Sequence, residues 1–270
     1  MTTRGPESDY VLGTADAEHE RLIRQARWVN PHTERVFCNA GICAGQRVLD
    51  LGSGVGDVAL VLGRIVGPTG EVVGVERDAR SIARARARVA DAGMKNVRFT
   101  ESDVSELAVD RPFDAAVGRY ILMFLPDPLA VLRSVAKCVR RGGVIAFQEA
   151  DWQALMRYVP RFPLWFAGAS MMVETFRRSG TNVDMGPQLS QVFLDAGLPT
   201  PTICSDVLVG AEEWMPAVLY SIRSRMRELG LPIETLGDFD SLIERLGAEV
   251  AAASAPTPLP SLASAWCRKE

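Results

Sequence analysis

The sequence predicts an α/β protein built on an open, doubly wound and mostly parallel sheet. Three observations carry this. The run Val48-Leu49-Asp50-Leu51 leads into glycines at alternating positions, Gly52, Gly54 and Gly56, which reads as a buried strand feeding a tight turn. Strand-like and helix-like patterns then alternate through five strands, as parallel βαβ units do. Finally, 270 residues with 47% hydrophobic and 23% charged content suit one such domain with an elaboration, or at most two.

Composition excludes several classes. A net charge of -3 and a pI near 5.6 argue against a large nucleic-acid footprint. Cys38, Cys43, Cys138, Cys204 and Cys267 are odd in number and scattered, without a C-x-x-C pair, so neither a zinc site nor a disulfide framework is expected. No basic-then-apolar leader follows Met1, and no apolar run is long enough to span a bilayer. The expectation is a cytoplasmic protein with no membrane partner and no metal.

Taken in order, residues 1–13 have little to bury. Leu22, Ile23, Ala26 and Val29 recur at helical spacing, and Asn30-Pro31 is expected to end that helix near residue 30. A second short helix over 33–40 leads to the first strand; together residues 1–45 read as a helical cap. The glycine turn opens a helix over 58–66, and backbone N–H groups at such a helix start form a nucleotide site. A dinucleotide fingerprint, G-x-G-x-x-G, would ask for glycine at 57, where the chain has Asp57. Asp50 beside the turn would repel a pyrophosphate but attract an ammonium group.

The second strand, 71–75, ends at Glu76, twenty residues after Gly56, where a strand-end carboxylate meets ribose hydroxyls. Arg77 is placed either over an adenine face or on the surface. Arg80, Arg84 and Arg88 on the next helix form a solvated face. The third strand exits through Asp103, which either meets the ligand or caps a short helix near 105–107. The fourth strand, 113–119, ends in Arg119 at the ligand-binding edge of the sheet, facing a carboxylate or another anion. Asp127-Pro128 starts a helix reaching 140 or 141, and a fifth strand over 144–147 delivers Glu149 to the same crevice. Residues 186–211 and 257–270 continue the core, with strands over 202–209 and 259–267. Two helical insertions remain, 151–185 and 212–256, rich in Trp152, Trp165, Phe176, Trp214 and other aromatics. Most of these pack helices onto the sheet, and a minority line a substrate pocket.

The motifs D-L-G-S-G-V-G at 50–56, V-V-G-V-E-R-D at 72–78, E-S-D-V at 101–104, F-D-A-A-V-G-R at 113–119 and R-G-G-V-I-A-F-Q-E at 141–149 together resemble the class I S-adenosylmethionine-dependent methyltransferases. The likeness is nearest to the bacterial small-molecule type akin to ubiquinone and menaquinone C-methyltransferases. It implies a Rossmann-like seven-stranded sheet, the last strand antiparallel, with helices on both faces. It also implies S-adenosylmethionine as cofactor and S-adenosylhomocysteine as product. By the same resemblance Asp50, Gly52, Ser53, Gly54 and Gly56 cradle the cofactor and Glu76 takes the ribose. Asp103 and Val104 meet the adenine, and Tyr10 and Gln25 fold over the methionine end. His19 and Glu149 are the candidate bases, each with a bland alternative as a capping or exposed histidine and as a buried partner of Arg119. The implied partner is a small-molecule acceptor for a monomer or homodimer. A cofactor-binding protein without methyl transfer, such as a cyclase, decarboxylase or regulator, is the alternative.

Overall fold

The structure is a computed structural model that describes residues 12, 16–107, 110–158, 162–210, 212–253, 256–257 and 259–270. Tyr10 lies outside the described residues. Seven strands form one sheet: β1 (Arg47–Leu51), β2 (Glu71–Glu76), β3 (Val97–Glu101), β4 (Phe113–Arg119), β5 (Val139–Asp151), β6 (Thr202–Asp206) and β7 (Ser261–Arg268). Their order across the sheet is β3-β2-β1-β4-β5-β7-β6. The first five are parallel, and β7 runs antiparallel between β5 and β6, as the resemblance implies.

Alternation along the strands places the two cores. Val48, Val72 and Ala115 face α1 (Asp16–Asn39), α2 (Asp57–Val66) and α3 (Ala79–Asp91), whose Phe37, Leu62 and Ile82 complete that layer. Leu49, Val73 and Ala116 face the opposite way, toward α4 (Pro128–Cys138), α5 (Trp152–Tyr158), α6 (Pro163–Arg178) and α7 (Met185–Asp195). This second layer grows thicker through α8 (Trp214–Ser221), α9 (Arg223–Glu228) and α10 (Leu242–Ala253), which pack on α6. Period-two burial on a central strand is the reason both faces carry helices.

Several boundaries differ from the sequence reading; the strand expected over 202–209, for one, ends at Asp206. Pro31 does not end the first helix: α1 runs unbroken through it. Pro31 and Arg27, whose carbonyl loses its partner, are both exposed, so water compensates the missing bond. Val29, Thr33, Val36 and Phe37, buried on either side of the proline, hold the two halves in line. Replacing Pro31 by Ala should therefore raise stability by about 1–2 kcal/mol, read as a higher denaturation midpoint. An unchanged midpoint would show that the proline costs the helix nothing.

The helix expected to reach 140 stops at Cys138, and Val139 opens β5 instead. Val139 pairs with Phe113, and Gly142, at φ 73, donates its N–H to the Lys269 carbonyl at 2.7 Å. Pairing on both sides outweighs a periodicity that three residues cannot define. Similarly, residues 105–107 form a turn and a bend rather than a short helix.

Candidate active site

A cleft of about 760 Å³ opens at the C-terminal ends of β1, β2 and β4, where parallel strands leave their turns. Its walls include Gly52, Ser53, Gly54, Glu76, Arg77, Asp103, Val104 and Arg119, with His19 and Gln25 reaching in from α1. Most of the residues singled out in the sequence therefore meet here.

The three glycines of the turn do different things. Gly54 has φ +49, and a Cβ built on it would meet nothing within 4 Å, so its face is open to the cleft. Gly52 is short of space: a Cβ there would lie 2.6 Å from Ile121 Cδ1. Gly56 caps α2 at φ 85, and its Cβ would press on Ala85 and Phe99 at 3.1 and 3.2 Å. Gly56 is absent from the cleft wall, so its part is to let α3 and β3 pack close.

Glu76 faces the turn. Its Oε2 accepts the Gly54 N–H at 3.0 Å, and its Oε1 accepts the N–H groups of Arg77 and Asp78 at 2.8 and 3.0 Å. Asp103 accepts from the Ser105 hydroxyl at 2.6 Å and the Ser105 N–H at 2.8 Å. These bonds, the hydroxyl's foremost, hold its carboxyl below the usual carboxylate range. Asp103 thus anchors a turn and lines the cleft together.

Arg119 leans toward α1, where its Nη1 donates to Asn30 Oδ1 at 2.9 Å and Thr33 Oγ1 at 2.8 Å. The expected pairing with Glu149 does not form. Glu149 is fully buried, and its Oε1 accepts the N–H groups of Ile121 and Leu122 at 3.1 and 2.8 Å. Its Oε2 has no partner, and burial pushes its pKa to about 8. It stands on the wall of neither cavity, so a buried, protonated anchor replaces the expected base. Asp50 is likewise set behind the turn rather than on the wall. Burial raises its pKa to about 8, against the opposing pull of the Arg119 charge. His19 is buried on the cleft wall, its Nε2 3.1 Å from Ser81 Oγ.

A second cavity of about 70 Å³, lined almost wholly by apolar side chains, adjoins the first. Leu22, Gln25, Tyr120 and Phe124 belong to both walls and form the neck between them. Gln25 Oε1 accepts from Arg21 Nη1 at 2.6 Å and from Trp214 Nε1 at 3.0 Å, tying α8 to α1 across that neck. Sequence reasoning gave Tyr120 no functional role and missed Asn30 and Thr33. The last two had a signal, since Leu22, Gln25, Val29, Asn30 and Thr33 share one helical face once α1 is continuous. Tyr120, at φ 55, left none.

A family model described as a methyltransferase domain matches residues 42–185. The chain belongs to this family, as a class I S-adenosylmethionine-dependent methyltransferase. It is 27% identical over 176 residues to a demethylmenaquinone methyltransferase of Staphylococcus aureus, covering 61% of this chain and 72% of that protein. It is also 29% identical over 160 residues to an uncharacterized 37.1 kDa protein in transposon TN4556 of Streptomyces fradiae, covering 59% of this chain but only 45% of that relative's length. Among solved structures, the [4+2]-cyclase SpnF superimposes with a TM-score of 0.51 at 18% identity, covering 87% of this chain and 80% of its own. Among the described residues, no helix is long and apolar enough to cross a membrane.

Proposed function

We propose that the chain moves a methyl group from S-adenosylmethionine to an O, N or C atom of a small, mostly apolar metabolite. The observation that carries this is the open face of Gly54, set against the Glu76 carboxylate in a cleft that adjoins an apolar chamber. A cofactor's backbone contact fits where no Cβ intrudes, and its ribose fits a strand-end carboxylate. Arg77, Asp103 and Val104 would hold the adenine and Arg119 the methionine carboxylate. When bound, the cofactor would supply a methyl carbon to an electron pair of the acceptor (a lone pair on O or N, a π pair on C), the carbon–sulfur electrons returning to sulfur and the acceptor's proton leaving to solvent.

The chain's own part is alignment and exclusion of water. Fixing two reactants in line is worth roughly 7–11 kcal/mol, and the Gln25–Trp214 hydrogen bond ties α1 to α8 across the neck. Of the two candidate bases, His19 stands on the cleft wall and Glu149 does not. The acidic net charge supports a small-molecule acceptor over a nucleic acid. The five cysteines are free thiols, which supports a reducing, cytoplasmic setting.

The alternative is a cofactor-binding protein that does not methylate, since SpnF shares the sheet and is a cyclase. Transfer of labelled methyl to an acceptor panel separates the two. The cofactor itself is tested by calorimetric titration with S-adenosylmethionine, S-adenosylhomocysteine and NAD; binding of NAD alone would sink the proposal. Glu76→Ala should weaken S-adenosylmethionine by about 1.5–3 kcal/mol, the weight of a hydrogen bond to a charged group. Unchanged affinity would remove Glu76 from the ribose site.

A further inference from the structure

We propose that the small apolar chamber, with its neck, is the methyl-acceptor site and takes a single aromatic ring bearing a hydroxyl, with that hydroxyl set by Tyr120, in preference to a cationic amine. This rests on the methyltransferase reading and narrows its acceptor.

The chamber has one aromatic wall. Trp152 lies 5.3 Å from Phe176 and 6.1 Å from Trp214, centroid to centroid, both pairs tilted, and all three rings line it. Such a wall favours a flat apolar guest packed against tilted rings. Its volume of about 70 Å³ is roughly half of the ~150 Å³ that holds benzene in an engineered protein cavity. The chamber alone therefore takes no more than about half of a ring, and the other half lies in the neck, between the aromatic wall and the cofactor cleft. The substituent on that half meets Gln25 and Tyr120.

Gln25 Oε1 is already shared by two donors. Among the described residues, the Tyr120 hydroxyl has no hydrogen-bond partner. Burial pushes its pKa up to about 12, so it is a neutral donor at physiological pH. Its position is enforced. Tyr120 is the one non-glycine residue with positive φ among the described residues, and its N–H is held by the Gln148 carbonyl at 2.8 Å. The next two amides are held by Glu149. A backbone kept in the left-handed region by three such bonds is a device for aiming one side chain.

The lining chemistry selects the head group. Arg21 and Tyr120 are the ionisable side chains among the described residues of the chamber wall, and Arg21 is paired with buried Glu18 at 2.6 Å. No carboxylate or histidine among them is placed to neutralise an ammonium, which would have only ring faces to meet, beside the like charge of Arg21. A hydroxyl accepts the Tyr120 hydrogen bond instead. That bond favours its ionised form, with the proton passing to water in the cleft.

The test uses the full chain saturated with S-adenosylhomocysteine and titrated with phenol, toluene and benzylamine, followed by ligand-observed NMR. Phenol should bind about tenfold tighter than its isostere toluene, the weight of one hydrogen bond, and benzylamine should bind more weakly than either. Tyr120→Phe, which keeps the ring, should erase the advantage of phenol while leaving toluene as before. Ala150→Leu, which fills the chamber, should weaken phenol and toluene alike while S-adenosylhomocysteine still saturates the variant. Absence of phenol binding, benzylamine binding as tight as phenol, or indifference of phenol to both substitutions would overturn the proposal. Failure of S-adenosylhomocysteine to bind would instead overturn the methyltransferase reading on which it stands.

Discussion

Gly54→Val is expected to abolish S-adenosylmethionine binding in a protein that still folds. Nothing lies within 4 Å of the Cβ position, so the first atom of the added side chain meets no neighbour in the free protein. Its cost to stability is the left-handed backbone at φ +49, about 1–2 kcal/mol for a residue with a Cβ. Its cost to binding is far larger, because two methyl groups then stand where the cofactor approaches the backbone. The expected loss exceeds about a hundredfold, or ~2.7 kcal/mol. Calorimetry on a variant whose circular dichroism matches the parent checks it. Near-normal affinity would place the cofactor elsewhere. Gly56→Val supplies the contrast: its side chain would strike Ala85 and Phe99, so stability suffers first.

Glu149→Ala is expected to destabilise the fold by about 2–5 kcal/mol below pH 4.5, where Glu149→Gln is nearly neutral, and Glu149→Gln becomes more stable than the parent as pH rises above that value. Removing the carboxyl leaves the N–H groups of Ile121 and Leu122 without their acceptor, at roughly 1–3 kcal/mol for each buried donor. The carboxamide keeps an oxygen for both amides and resembles the protonated acid that burial enforces. The pH dependence follows from the same shift. Glu149 titrates at 4.5 in the unfolded chain and at about 8 in the fold, so between these values the folded protein holds the extra proton. Its stabilisation is full below pH 4.5, falls as pH rises toward about 8, and is flat above. Asp50, raised from 3.8 to about 8, adds a slope of the same sign. Denaturation midpoints across this range should decline for the parent and less steeply for Glu149→Gln, with the variant the more stable at alkaline pH. A parent midpoint that climbs with pH would refute both assignments.

The sheet was legible because its cues are local. Alternating burial, helix-stop glycines and the Asp127-Pro128 cap each act within a few residues, and all seven strands were anticipated. Motif spacing also brought Gly54, Glu76, Asp103 and Arg119 to one cleft, since strand ends at one edge of a parallel sheet converge whatever the loops do. What escaped depends on distant partners. Pro31 carries a helix-ending cue that packing of Val29 and Phe37 overrides. Glu149 reads as a strand-end acid like any other, and only the fold shows that its oxygen faces the amides of residues 121 and 122 rather than Arg119. The backbone of Tyr120 has no sequence signal, because tyrosine seldom takes positive φ and nothing nearby demands it.

The two cavities draw on different stretches of chain, and this bears on how the protein can change. The larger cleft is built mainly from residues 52–131, close to the strand ends that every nucleotide-binding sheet shares. The smaller chamber takes Trp152, Phe176, Leu208, Trp214, Val218 and Leu259 from the later half of the chain, with Val29 and Arg21 from α1. Substitutions that reshape one wall therefore leave most of the other untouched. Mutational drift in the later helices can explore new guests while the donor chemistry is inherited intact, so closely similar cleft sequences need not imply a common acceptor.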